Sequence, residues 1–161
     1  MKTKNMKTKK LTFAALTAGL YVVLTMIASM MGLSNGVIQV RFSEALTILP
    51  MFNTASIPGL TIGCVIANVL AGAHIYDVIF GSLATLLGAL FTYAFRKNKY
   101  IAIMGPILSN TLIVPFILSY VYHFEGAIWY FAVTVFIGQV ISCGVLGLWL
   151  HRFITKSNIQ F

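Results

Sequence analysis

No charged residue interrupts the chain between Leu11 and Leu33, and three further stretches, roughly 77–95, 100–122 and 127–151, are almost as apolar. Each is close to the twenty or so residues an α-helix needs to cross about 30 Å of hydrocarbon. Runs of this length restrict the chain more than any other feature. In lipid the backbone must satisfy its own hydrogen bonds, so segments of this kind become spanning helices. Composition agrees: hydrophobic residues make up 59% of the 161 and charged residues only 9%. A soluble domain carries about 25% charged residues. The run at 11–33 follows five lysines, as the h-region of a secretory signal would, but it is longer than an h-region and further spans follow it. It reads as a retained first helix.

The region 42–73 is harder to divide, being too long for one upright helix and short for two. It contains Pro50 and Pro58 with Asn53, Thr54 and Ser56 between them, a turn-like composition. Charge decides how many crossings it makes. Lys2, Lys4, Lys7, Lys9 and Lys10 precede the first run, Arg96, Lys97 and Lys99 separate two later runs, and Arg152 and Lys156 follow the last. Lys and Arg stay on the cytoplasmic side, so an even number of crossings separates the first two groups. Two helices in this region, near 42–53 and 57–73, meet that condition. The expectation is an all-α polytopic membrane protein with six transmembrane helices and cytoplasmic N and C termini. Residues 1–10 form a basic cytoplasmic tail, 11–152 the six-helix domain and 153–161 a second cytoplasmic tail. Ten of the eleven basic residues then lie inside, and only Arg41 lies outside. The acids Glu44, Asp77 and Glu125 all fall at the outer side. The net charge of +8 is accounted for by this asymmetry and does not indicate nucleic acid.

Small residues recur at four-residue spacing: Gly59, Gly63, Ala67 and Ala71 in the third helix, Ala14 and Ala18 in the first, Gly138 and Ser142 in the sixth. Gly81, Ala84 and Gly88 share a face of the fourth. Such ridges let backbones approach closely where lipid supplies little drive for helix association. On spacing alone all of them suit internal packing.

Polar side chains inside a membrane are costly, and usually face the protein interior or a cavity. Arg41, Glu44, Asn68, Asp77, Asn110 and Gln139 are the candidates. Arg41 and Glu44, three apart, suit either a local ion pair at a helix start or a polar wall of an outward-facing site, in which a carboxylate accepts two parallel hydrogen bonds. Asp77 suits a helix N-cap. Asn110 and Gln139 suit either a bond across helices or contact with a ligand. His74 and Glu125 read as solvated outer-loop residues. Tyr120, Tyr122, Trp129 and Tyr130 read as an outer aromatic belt. Cys64 and Cys143 lie inside apolar runs and suit packing. The sequence has no Walker A loop, no HExxH, no GxSxG and no metal-ligand spacing. His74 and His123 fall outside and His151 inside, so the histidines form no catalytic group. These observations describe a six-helix membrane protein with a polar outward site. They leave a transport subunit and a self-contained channel or exporter open.

The segments "VRFSEALTILP", "IPGLTIGCVIANVLAG" and "DVIFGSLATLLGAL", in this order, resemble the QueT family, the likeness extending over about residues 10 to 152. That resemblance implies a substrate-binding S component of an energy-coupling factor (ECF) transporter, a multi-pass protein of the bacterial plasma membrane. It further implies capture of a queuosine precursor from outside, such as the 7-aminomethyl or 7-cyano form of 7-deazaguanine, or queuine. Delivery inward occurs by toppling of the whole subunit. The implied partners are a transmembrane coupling protein (EcfT) and two cytoplasmic ATPases (EcfA-type), with no catalysis, metal or cofactor in this chain. The AxxxA motif of such first helices, which contacts the coupling protein, is matched by Ala14 and Ala18. The candidate polar residues suit the implied ligand: Glu44 or Asp77 would accept from the adjacent N–H groups of a guanine-type edge, and Asn68, Asn110 and Gln139 would read its carbonyl and ring nitrogens. An S component for another vitamin is the alternative within transport.

Overall fold

A computed structural model describes residues 2–33, 39–121 and 127–157. Asn35, Tyr122, His123 and Glu125 lie outside the described residues. Four helical stretches are long and apolar enough to cross a membrane: Met6–Met30, Ile75–Ala94, Lys99–Tyr120 and Ile128–Lys156. Two shorter apolar helices, Phe42–Met51 and Ser56–Leu70, lie between the first and second of these. The all-helical architecture, and the division of 42–73 into two pieces, agree with the sequence reading.

Helix α1 (Lys2–Met30) takes in the lysine segment as well as the first apolar run. It is followed by a 3-10 segment, Phe42–Met51, and then by α2 (Ser56–Leu70) and α3 (Ile75–Ala94). A short α4 (Lys99–Ala102) leads into α5 (Met104–Tyr120). The last stretch is α6 (Ile128–Gln139), a π-helical segment (Val140–Leu146) and α7 (Gly147–Lys156). Helices α1, α2, α3, α5 and α6 each pack on the next in that order. The 3-10 segment lies among them and touches α1, α3, α7 and the π segment.

The turn expected between the two prolines is present. Asn53 Oδ1 accepts from the Ala55 N–H at 2.9 Å, and the Ser56 hydroxyl donates to the Asn53 carbonyl at 2.6 Å. The expected fifth span is broken at Ile103, between α4 and α5. Pro106, with no N–H, cannot bond back to the Ala102 carbonyl. Thr92 of α3 donates to that carbonyl instead, at 3.1 Å.

The burial pattern is that of a protein solvated by lipid. Large apolar side chains such as Ile62, Leu83, Leu112 and Val133 are exposed, whereas Thr17, Thr25, Ser43, Glu44, Thr47, Thr85, Asn110 and Ser142 are buried. The small-residue ridges make the close approaches that allow this. A Cβ on Gly59 would meet the Ala14 carbonyl oxygen and Thr17, and one on Gly63 would meet Tyr21 Cβ and Ala18 Cα. The ridge of α2 therefore lies directly on the Ala14 and Ala18 face of α1. A Cβ on Gly88 would meet Pro106, fixing the crossing of α3 and α5.

Candidate functional site

Residues Gln39–Arg41 lead into the 3-10 segment over α6. Gly138 permits this, because a Cβ there would collide with the Gln39 carbonyl oxygen. One turn further on, the Ser142 hydroxyl accepts the Arg41 backbone N–H at 3.2 Å. The predicted ridge of Gly138 and Ser142 is thus the seat of the Gln39–Arg41 strand. Arg41 itself is extended and caps the 3-10 segment. The Glu44 N–H bonds back to the Arg41 carbonyl at 3.1 Å.

This start places Glu44 inward. Its side chain is 1% exposed, and Oε1 accepts from the Tyr21 hydroxyl at 2.9 Å. Tyr21 lies nine residues before the end of α1 at Met30, a rise of about 14 Å. Glu44 is therefore deeper than the rim position expected from its place beside the outer loop. The second carboxylate oxygen, Oε2, is buried and has no hydrogen-bond partner among the described residues. A buried polar atom left unsatisfied costs about 1–3 kcal/mol.

The neighbours of Glu44 are polar on both sides. On the α1 side, Thr25 donates to the Ser43 hydroxyl at 2.8 Å. On the opposite side, the Cys143 thiol lies 3.6 Å from the Glu44 carbonyl and donates to Gln139 Oε1 at 3.1 Å. Asn110 Nδ2 donates to the same Gln139 oxygen at 3.3 Å and to the Pro106 carbonyl at 3.1 Å. Asn110 and Gln139 are thus bonded across helices, and both also line a gap with Gln39, Arg41, Val114 and Val135. That gap holds about 10 Å³, room for about one water.

Asn68 and Asp77 form a second polar group. The α3 N-cap is His74, whose ring accepts from the Tyr76 N–H at 3.5 Å. Asp77 is therefore not the cap. It lies within the first turn, where an anion suits the helix dipole, and is buried. Asn68 Nδ2 donates to the Asp77 carbonyl at 3.4 Å, and Asp77 Oδ1 and Asn68 Nδ2 both flank Gly81. Arg41 links the two groups. It lies within electrostatic reach of both Asp77 and Glu44. Its guanidinium also donates to Gln39 Oε1 at 3.5 Å.

The six predicted polar residues thus lie around one buried region. Tyr21, Ser43, Ser142, Cys143 and Gln39 belong to it too, and the sequence reading had not assigned them there. For Tyr21 a signal existed: Thr17, Tyr21 and Thr25 recur every four residues on one face of an otherwise apolar helix. Ala14 and Ala18 lie elsewhere, half-buried against α2.

The sequence also matches known proteins. Residues 11–156 match the family described as QueT transporter. The protein described as "Queuosine precursor transporter QueT" from Lactococcus lactis subsp. cremoris (strain MG1363) is 40% identical over 101 residues, 60% of this chain. The matched part spans 59% of that relative's length. No solved structure matches the chain. With nearly its whole apolar domain covered by the family match, this multi-pass membrane protein belongs to the QueT transporter family.

Proposed function

We propose that the chain is the substrate-capturing subunit of an ECF-type importer for a queuosine precursor of the 7-deazaguanine class. The observation that carries this reading is the orphaned Glu44 Oε2 in the middle of a polar cluster. A buried acceptor that the protein leaves unpaired suits a ligand bringing its own N–H donors. A guanine-type edge presents two side by side, one for Oε2 and one for the oxygen shared with Tyr21. The relative's printed name supplies the substrate class. Arg41, Asn68, Asp77, Asn110 and Gln139 are assigned to the remaining polar edges of the base.

The gap of about 10 Å³ is too small for a fused two-ring base. Binding therefore requires the Gln39–Arg41 strand to lift from α6 above Gly138. Among the described residues, its Arg41 N–H bonds to Ser142 there, a bond that water can replace when the site opens. Asp77 and Glu44 near Arg41 leave a balance of negative charge that attracts an aminomethyl cation.

The site faces outward in this reading, both termini are cytoplasmic, and the membrane is the bacterial plasma membrane. Transport proceeds by toppling against an EcfT-type coupling protein driven by two EcfA-type ATPases. Ala14 and Ala18 are the assigned coupling residues. They are half-buried beside α2, and small side chains let a partner helix approach closely. Orientation is testable by itself. Reporter tags inserted at Asn35 and Asn98 should report opposite sides of the membrane, with Asn98 inside; both on one side would exclude the six-crossing arrangement.

The substrate is tested by thermal melting of the purified chain against 7-deazaguanines, guanine and common vitamins. A ligand at a hundred times its Kd stabilises the native state by about 2.7 kcal/mol. A rise in melting point with a deazaguanine and none with guanine is expected. A rise with a vitamin alone would keep the transporter and replace its substrate. Copurification of ATPase subunits separates the importer from a self-contained channel.

A further inference from the structure

The end of the molecule remote from Glu44 carries a second feature. A groove of about 320 Å³ runs between α4 and the last turns of the chain, lined by Lys99, Tyr100, Val145, Leu148, Trp149 and Arg152. Its distance from the polar cluster follows from α3. Asp77 is in the first turn of this 20-residue helix, and Lys99 follows its far end, about 30 Å away. Phe52, at the far end of the 3-10 segment, meets the His151 ring with centroids 5.2 Å apart, so α7 reaches the same level.

Three properties of the groove point to one kind of occupant. Its walls carry two cations and no acid. Of the chain's three acidic residues, Glu44 and Asp77 belong to the other end, and Glu125 lies outside the described residues. Lys99 and Arg152 thus share a cleft in which the described protein offers no carboxylate. Next, the apolar side chains beside them are turned outward: Val145 is 62% exposed and Trp149 68%. Finally, Tyr100 and Trp149 flank the cations, the pairing of aromatic and basic side chains found where a bilayer meets water. Lys99 Nζ is poised 5.2 Å above the Tyr100 ring, which leaves its remaining directions for an anion.

We infer that this groove binds one anionic phospholipid, with the phosphate between Lys99 and Arg152 and an acyl chain along Val145, Leu148 and Trp149. Basic clefts between membrane helices hold lipid headgroups by this combination of charge and apolar wall. Placing the lipid in the cytoplasmic leaflet rests on the orientation proposed above. Binding itself does not, and it is independent of which base the other end captures.

The full chain carries two tryptophans, so Trp129→Phe leaves Trp149 as the reporter. The delipidated protein in detergent is titrated with phosphatidylglycerol brominated on its acyl chains, and with the matched phosphatidylcholine. Phosphatidylglycerol should quench Trp149 at about thirtyfold lower concentration, since two basic residues near an anionic surface add about 1 kcal/mol each. Lys99→Gln with Arg152→Gln should bring the two lipids level, and Lys99→Arg with Arg152→Lys should keep the preference. Equal quenching by both lipids in the parent would overturn the inference. So would a preference that survives the neutral pair, or one lost in the charge-conserving pair. Displacement of the lipid by millimolar inorganic phosphate would make the occupant a free anion instead.

Discussion

Glu44→Gln should weaken binding of the 7-deazaguanine ligand by ten- to a hundredfold while leaving the chain folded. A hydrogen bond to a charged group contributes about 1.5–3 kcal/mol, and 1.4 kcal/mol is a factor of ten in affinity. The substitution is nearly isosteric. Its amide oxygen still accepts from Tyr21, the contact that Glu44 Oε1 makes at 2.9 Å. What changes is the position of Oε2, the atom without a partner. An NH₂ there presents donors to the donors of a guanine-type edge, so attraction becomes repulsion. Calorimetric titration of parent and variant measures the difference. Affinity within twofold of the parent would remove Glu44 from the site and with it the argument from the orphaned oxygen.

Gly63→Leu should be strongly damaging although it lies outside the polar cluster. The first carbon of any side chain there would lie 2.8 Å from Tyr21 Cβ and 3.0 Å from Ala18 Cα. Both belong to α1, and neither is the end of a flexible side chain. The helices must separate, and overpacking of this kind costs about 1–3 kcal/mol or more. The displacement also pulls Tyr21 from Glu44, so ligand binding should fail together with stability. Gly19→Leu is the control: Gly19 is on the same α1 helix with nothing within 4 Å of a Cβ, so it should leave melting nearly unchanged. Melting points of the two variants and the parent decide the matter. Gly63→Leu melting within a few degrees of the parent would mean that α1 and α2 are not held at this distance.

The run lengths, the proline-flanked turn and the small-residue ridges were legible because each depends on local chemistry or on the ordinary helical period. Gly59 and Gly63 recur every four residues, and an α-helix brings such positions to one face. The cluster was legible in part for a different reason. Polar residues are so scarce in this chain that Glu44, Asn68, Asp77, Asn110 and Gln139 had few places to go but inward. The contacts among them were not legible. Ser142 and Cys143 are adjacent, and the ordinary period would turn one of them away. The π-helical stretch Val140–Leu146 widens the turn, so that Ser142 meets the Arg41 backbone while Cys143 meets Gln139 and the Glu44 carbonyl. In the same way, Phe42–Met51 reads as a short α-helix but forms a 3-10 helix. At about 2.0 Å rise per residue, its ten residues reach about 5 Å further than an α-helix of equal length. The Asp77 cap assignment failed because His74, three residues earlier, starts the helix.

The 3-10 segment also sets an order of events during synthesis. Ten residues are too few to enter a bilayer as an independent span, and its polar groups Ser43, Glu44 and Thr47 oppose entry alone. It becomes stable in lipid only when walls exist on both sides. One wall, α1, is made before it. The other comes about a hundred residues later: Arg41 meets Ser142 across a separation of 101 and Glu44 meets Cys143 across 99. A ribosome must therefore deliver about a hundred further residues before Arg41 and Glu44 can settle. The polar cluster is thus closed only after the stretch carrying Ser142 and Cys143 has emerged.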